Sequence, residues 1–195
     1  MEGVVQAIEV FAMITGVAYV ILEILQKNSM WVVGILTGAA CAFSFGVQHV
    51  WASMGLNIYY VAISVIGFCR WKKDSVKVEE GEIHLNGMDA GTVALSSVLL
   101  GVGIVLSAPV LKNTGDPAPY LDSIAVTLSA IATWWLAMSY LQQWLLWIVA
   151  DVITTALCVV TGQYLLAIMY LAYVAGAVYG YIHWKRHGKV VTSGE

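Results

Sequence analysis

The chain has 195 residues, of which 60% are hydrophobic and 11% charged, against roughly 45–50% and about 25% in soluble domains. So much apolar surface with so few charges to coat it excludes a soluble globular domain, and the apolar excess excludes a disordered chain. Nine Lys and Arg against twelve Asp and Glu leave a net charge of −3, so no basic footprint points to nucleic acid.

A helix needs about 20 predominantly apolar residues to cross the hydrocarbon layer. Seven stretches qualify, near 7–25, 30–48, 54–71, 92–110, 121–140, 144–161 and 163–184. The run that begins at Val4 follows no basic segment and ends in no small-residue cleavage pattern, so a removable signal peptide is not expected. Asn28-Ser29 and Gly162 are breakers that predict tight hairpins. The polar stretches are Lys72–Ala90, rich in charge, and Lys112–Pro119, rich in turn formers. Cys41, Cys69 and Cys158 all fall inside apolar runs, without metal-site spacing or a disulfide framework.

With seven spans the termini lie on opposite sides. One side receives Lys27, Arg70, Lys72, Lys73, Lys77, Lys185, Arg186 and Lys189, and the other only Lys112. The positive-inside rule then puts the N-terminus outside and the C-terminus in the cytoplasm, with the chain in the inner membrane.

An internal repeat runs through the spans. Trp31 and Trp71 are 40 residues apart, and so are Trp144 and Trp184; an ungapped offset of 113 carries the first pair onto the second. The same offset matches Gly67 to Gly180, Ile35 to Ile148, Glu9 to Asp122, and Tyr60-Val61-Ala62 to Tyr173-Val174-Ala175. Each unit holds three spans, with one span between them that restores the orientation of the second copy. The expected fold is therefore an all-α polytopic membrane protein of seven transmembrane helices in a 3+1+3 parallel repeat. Such repeats are related by an axis along the membrane normal, and transporters built on them carry substrate between the units near the midplane. The expected divisions are 1–72 for the first bundle, 73–91 for a cytoplasmic loop, 92–119 for a linking helix and outer loop, 120–186 for the second bundle and 187–195 for a tail.

Helical spacing gathers Asn57, Tyr60, Ser64, Gly67 and Trp71 on one face of the third span, and Tyr170, Tyr173, Ala177, Gly180 and Trp184 on the seventh. In the sixth, Trp144, Trp147, Asp151, Thr154 or Thr155, and Cys158 align. The corresponding face of the second has Trp31, Gly34, Gly38, Cys41, Phe45 and Gln48. Aromatic rings beside polar groups suit a lumen that stacks a flat ring and hydrogen-bonds its appendages. Asp151 is the sharpest residue, about 10 Å beneath the cytoplasmic edge marked by Trp144. A carboxylate at that depth costs several kcal/mol unless it has a partner. No Lys or Arg lies inside any span, so the partner is a cationic substrate, a proton, water or a neutral donor. The neighbouring indole of Trp147 favours a cation.

Other features read more simply. Glu9 and Asp122 suit the dipole of outer helix ends, Glu23 and Lys27 an exposed i,i+4 pair, and Trp71 and Trp184 an interfacial aromatic belt. His49, His84, His183 and His187 read as loop or terminal residues without ligand partners, so no metal or other cofactor is expected. No nucleophile–base pair, phosphate-binding glycine loop or zinc motif points to an enzyme.

From about Glu9 to Trp184 the chain resembles the PnuC family of vitamin transporters. The resemblance rests on Leu56-Asn57-Ile58-Tyr59-Tyr60 with Gly67 and Trp71, on Gln143-Trp144-Leu145-Leu146-Trp147-Ile148 with Asp151, on Asp122-Ser123, and on Tyr170, Tyr173, Gly180 and Trp184. It implies a fold like an enlarged sugar-transporting SWEET protein. It also implies facilitated diffusion of an unphosphorylated vitamin, by alternating access, with trapping inside by a cytoplasmic kinase. The family's third-span motif often has Gln where this chain has Asn57, which bears on the substrate more than the fold. Nicotinamide riboside and thiamine both pair a cationic aromatic ring with hydroxyl groups and suit Asp151 beside Trp147, whereas riboflavin is neutral and bulkier. Family prevalence puts nicotinamide riboside first and thiamine next. Tyr60, Tyr170, Tyr173, Trp31, Trp144 and Trp147 are the expected aromatic contacts, Asp151 the charge partner, and Asn57, Gln48 and Thr154 the partners of hydroxyls or amide. The partners are then the vitamin and the bilayer, with a functional link to the kinase; a homo-oligomer is compatible with the sequence. The competing readings are a SWEET-like sugar carrier and a non-transporting membrane scaffold.

Overall fold

A computed structural model describes residues 16–191 apart from 48, 50 and 80. Seven helices occur among them: α1, described over 16–24, α2 (Ser29–Val47), α3 (Trp51–Asp74), α4 (Ala90–Asn113), α5 (Pro119–Ala137), α6 (Gln143–Val160) and α7 (Tyr164–His187). Six stretches are long and apolar enough to cross a membrane, namely α2, Ser53–Lys77, α4, α5, α6 and α7. The first expected span lies largely outside the described residues, as do Glu9 and Gln48. Helices are the form such sequences take in lipid, because each backbone donor and acceptor must be satisfied within its own segment. The hydroxyls inside them obey the same demand by bonding back one turn. Ser107 Oγ donates to the Gly103 carbonyl at 2.7 Å, and Thr133 Oγ1 to that of Ser129 at 2.8 Å.

The chain divides into two compact units after His84. In the first, α2 packs on α3. In the second, α4 packs on α5, α5 on α6 and α6 on α7, so the helix expected to link the bundles falls in the second unit. Its seat on α5 is fixed by the buried Trp135 indole, which donates to Ser96 Oγ at 3.0 Å. Asp89 caps α4, accepting from the Thr92 amide at 2.9 Å, and that hydrogen bond holds its carboxyl below the usual carboxylate range. Pro119 opens α5, where its missing N–H costs nothing.

Local geometry recurs at the offset found in the sequence. Gln26 and Ser139 both turn the chain in the left-handed region, at φ 48° and 58°, and so do His49 and Gly162, at φ 60° and 75°. Each pair is separated by 113 residues. Gly162 is therefore the turn that the sequence suggests, whereas the break near Asn28 is made by the backbone of Gln26.

The Lys72–Ala90 stretch is more ordered than its composition suggests. A short 3-10 turn (Ser75–Lys77) is braced by an ion pair between Lys77 and Asp74 at 3.0 Å. Strand β1 (Ile83–Leu85) follows, and strand β2 (Gly188–Val190) lies beyond α7. The Leu85 carbonyl accepts from the Val191 amide at 2.7 Å within the second unit. The Gln26 side chain acts as a strand partner for His84: its Nε2 donates to the His84 carbonyl and its Oε1 accepts from the His84 amide, both at 2.8 Å. In the second unit the α5–α6 turn does the corresponding work. There the Ser139 carbonyl accepts from the Asn86 amide at 3.1 Å and the Met138 carbonyl accepts from Asn86 Nδ2 at 2.8 Å.

Candidate functional site

The four Trp residues that mark the repeat form two matching pairs. Trp31 and Trp71 meet edge to face at 5.1 Å and 77°, Trp144 and Trp184 at 5.4 Å and 89°. Glycine makes each pair fit. A Cβ on Gly67 would stand 2.5 Å from the ring of Trp31, and one on Gly180 2.5 Å from that of Trp144. All four rings are at most 1% exposed. This corrects the aromatic-belt reading of Trp71 and Trp184, since a belt indole would lie at the protein surface. In the first unit Trp71 also meets the ring of His84 edge to face at 5.6 Å.

The second unit gathers most of the polar face. On α6, Asp151 is only 7% exposed, and among the described residues no side chain hydrogen-bonds its carboxylate. Trp147 is half-buried, with an indole N–H that also lacks a partner. The opposite face of α6 shows Leu145, Val149, Val152 and Val159 at the surface of the unit. Tyr170 and Tyr173 on α7 are half-buried and edge to face at 5.8 Å, within electrostatic reach of Asp151. Thr154 Oγ1 donates to the Ala150 carbonyl at 2.9 Å, leaving only its lone pairs for another partner. Trp144 is engaged with Trp184 rather than open to the unit's surface.

In the first unit, Asn57 and Tyr60 are half-buried on α3. Asn57 spends one N–H on the Ser53 carbonyl at 2.9 Å and keeps the rest of its amide. Trp31 is engaged with Trp71. Gln48 lies outside the described residues.

Two readings of the polar residues change. Glu23 is buried, at 3% exposure, rather than half of an exposed pair with Lys27; it lies near Tyr19, which also neighbours Tyr60. An acid inside an apolar run was the available signal, masked by the i,i+4 lysine. His183 and His187 are not terminal but occupy the last turn of α7, with rings 4.5 Å apart. His84 is buried in β1, where burial pushes its imidazole down to about 4, against an opposing pull from Asp74 and with a small further push from Lys77. Among the described residues no three potential ligands group to hold a metal ion.

The family model for nicotinamide mononucleotide transporters matches residues 6–186. The chain belongs to that family. Among its relatives is the nicotinamide riboside transporter PnuC of Neisseria mucosa, 28% identical over 190 residues that cover 90% of this chain and 72% of that protein. The Haemophilus influenzae protein of the same name is 24% identical, covering 89% and 76%, and the Escherichia coli one 22%, covering 91% and 84%. A crystal structure of the vitamin B3 transporter PnuC superposes with a TM-score of 0.71 at 27% identity, covering 93% of this chain and 83% of that one. This member of the nicotinamide mononucleotide transporter family is thus a multi-pass membrane transporter and not an enzyme.

Proposed function

We propose that the chain takes up nicotinamide riboside by facilitated diffusion. The observation that carries this reading is Asp151, a buried carboxylate one turn from the indole of Trp147 and close to two phenols. A pyridinium ring is flat and cationic, and both features have a counterpart there. The carboxylate repels phosphate, and no Lys or Arg stands between Lys112 and Lys185 to receive one. The relatives are named for the riboside; the unphosphorylated form fits the charges of this chain better than the mononucleotide for which the family is named.

In this reading Trp147, Tyr60, Tyr170 and Tyr173 stack the ring and sugar, with Trp31 and Trp144 fixing the helices behind them. Asp151 meets the positive charge. Asn57, Gln48 and Thr154 bind the polar appendages. The helices follow the 3+1+3 parallel repeat, supported by the recurrent turns and Trp–Gly pairs, and transport is by alternating access with each bundle moving as a body. The chain sits in the inner membrane with its N-terminus outside, and phosphorylation by a cytoplasmic kinase traps the cargo.

Calorimetric titration of the detergent-purified protein tests the substrate. Nicotinamide riboside, nicotinamide mononucleotide, thiamine, riboflavin and glucose are the five ligands. Micromolar binding of the riboside, with weak or no binding of the mononucleotide and glucose, is expected. Heat from thiamine alone would transfer the assignment to that vitamin, and silence from folded protein to all five would sink the carrier reading.

A further inference from the structure

Gln143 is fully buried, at 0% exposure, and neither atom of its amide has a hydrogen-bond partner among the described residues. A buried, unsatisfied amide is costly, and such groups are rare in folded proteins. Packing alone does not call for one at this position. The residue 113 earlier is Met30, which is equally buried and carries no polar atom. A thioether therefore fills the corresponding place in the first unit.

The contrast extends along the helix. Gln143, Trp147 and Asp151 stand at i, i+4 and i+8, within an arc of about 80° on α6. The equivalent stripe on α2 is Met30, Gly34 and Gly38. There the small residues admit close neighbours: a Cβ on Gly34 would lie 3.0 Å from Ser64 Oγ and 3.1 Å from the Tyr19 ring, and one on Gly38 3.0 Å from Val61. One unit uses the stripe to pack helices, while the other fills it with an amide, an indole and a carboxylate. The Gln143 amide and the Trp147 N–H have nothing to bond. A ligand without internal symmetry needs this division, with chemical discrimination on one copy of the repeat.

We propose that Gln143 is a specificity-determining residue that reads the carboxamide of the substrate's ring, completing a three-rung stripe with Trp147 and Asp151. The inference rests on nicotinamide riboside being the cargo. A primary amide offers a donor and an acceptor side by side, and a second primary amide answers both. A carboxylate in its place offers acceptors only. It strands the Gln143 N–H or carbonyl and adds a charge that Asp151 repels. The amide is closed from solvent in this conformation, and a carrier must open and close around its cargo to deliver it.

The test compares nicotinamide riboside with nicotinic acid riboside, whose ring bears a carboxylate, on purified wild type and on Gln143→Met. Methionine fills the equivalent position of the first unit, so the variant is expected to fold. Wild type should prefer the amide ligand by at least about tenfold, and Q143M should lose most of that preference while its thermal stability holds or rises. Equal preference in wild type and Q143M would overturn the role of Gln143. If Q143M fails to fold, the wild-type ratio decides: indifference to the carboxamide overturns the proposal, and strong discrimination supports it. Wild type that binds neither riboside, yet is folded, refutes the assigned cargo and this inference with it, an outcome separable from a failure confined to the variant.

Discussion

Gln26 and Ser139 reverse the chain with the same left-handed backbone, 113 residues apart, and both turns hold the segment that follows β1 or lies within it. Gln26 does so with its side chain, gripping both backbone groups of His84; Ser139 does so with its carbonyl, gripping Asn86. The sequence offset is thus expressed as equivalent backbone shape with different chemistry.

Removing the Gln26 grip should loosen the segment without touching the spans. Gln26→Ala deletes two hydrogen bonds worth about 1 kcal/mol each. Amide exchange at His84 and proteolysis around Gly81 should both accelerate. Unchanged exchange at His84 would show that β1 is held by other contacts.

Burial of His84 makes stability depend on acid. Its imidazole titrates near 4 in the folded protein and near 6.5 when unfolded. The unfolded chain therefore binds more protons between these values. The stabilisation is complete above pH 6.5 and is lost as pH falls toward 4, amounting to as much as about 3 kcal/mol. Unfolding in detergent at stepped pH should show this slope, and His84→Phe, which keeps an aromatic ring against Trp71, should flatten it.

Gly67→Ala and Gly180→Ala should each destabilise, because the new methyl collides with the body of an indole ring instead of a movable side-chain tip. A loss of about 1–3 kcal/mol is expected for each. Similar falls in melting temperature for both would reflect the shared geometry. A neutral result at either would mean that its Trp pair can shift apart.

Asp151→Asn keeps shape and removes charge. Binding of nicotinamide riboside should weaken by about tenfold or more, on the order of 1.4 kcal/mol, while thermal stability stays level or rises. Unaltered affinity and uptake in the folded variant would end its role as charge partner.

The apolar runs disclosed the helices because lipid leaves a sequence little alternative. Rare residues disclosed the repeat: Trp31, Trp71, Trp144 and Trp184 with Gly67 and Gly180 carry the same offset in sequence and in packing. Asp151 was visible for the same reason, as an acid where acids are expensive. Glu23 was not, because Lys27 one turn later offered a surface explanation. Gln143 escaped notice because an amide at the edge of an apolar run looks interfacial until its burial is seen. The burial of Trp71 depends on His84, thirteen residues on, which reaches it only through the grip of Gln26. Strands β1 and β2 are three residues each and have no periodicity to read.

The backbone at Gln26 has an evolutionary reading. A left-handed turn favours glycine, and any other residue there carries a strain of roughly 1 kcal/mol. Glycine would ease the turn yet could not reach His84. The chain has therefore kept a poorer turn-former for the reach of its side chain, while at Gly162, where φ is 75° and no such reach is asked, it has the easier residue. Duplication supplied two copies of one turn, and drift could polish only the copy that had no second task.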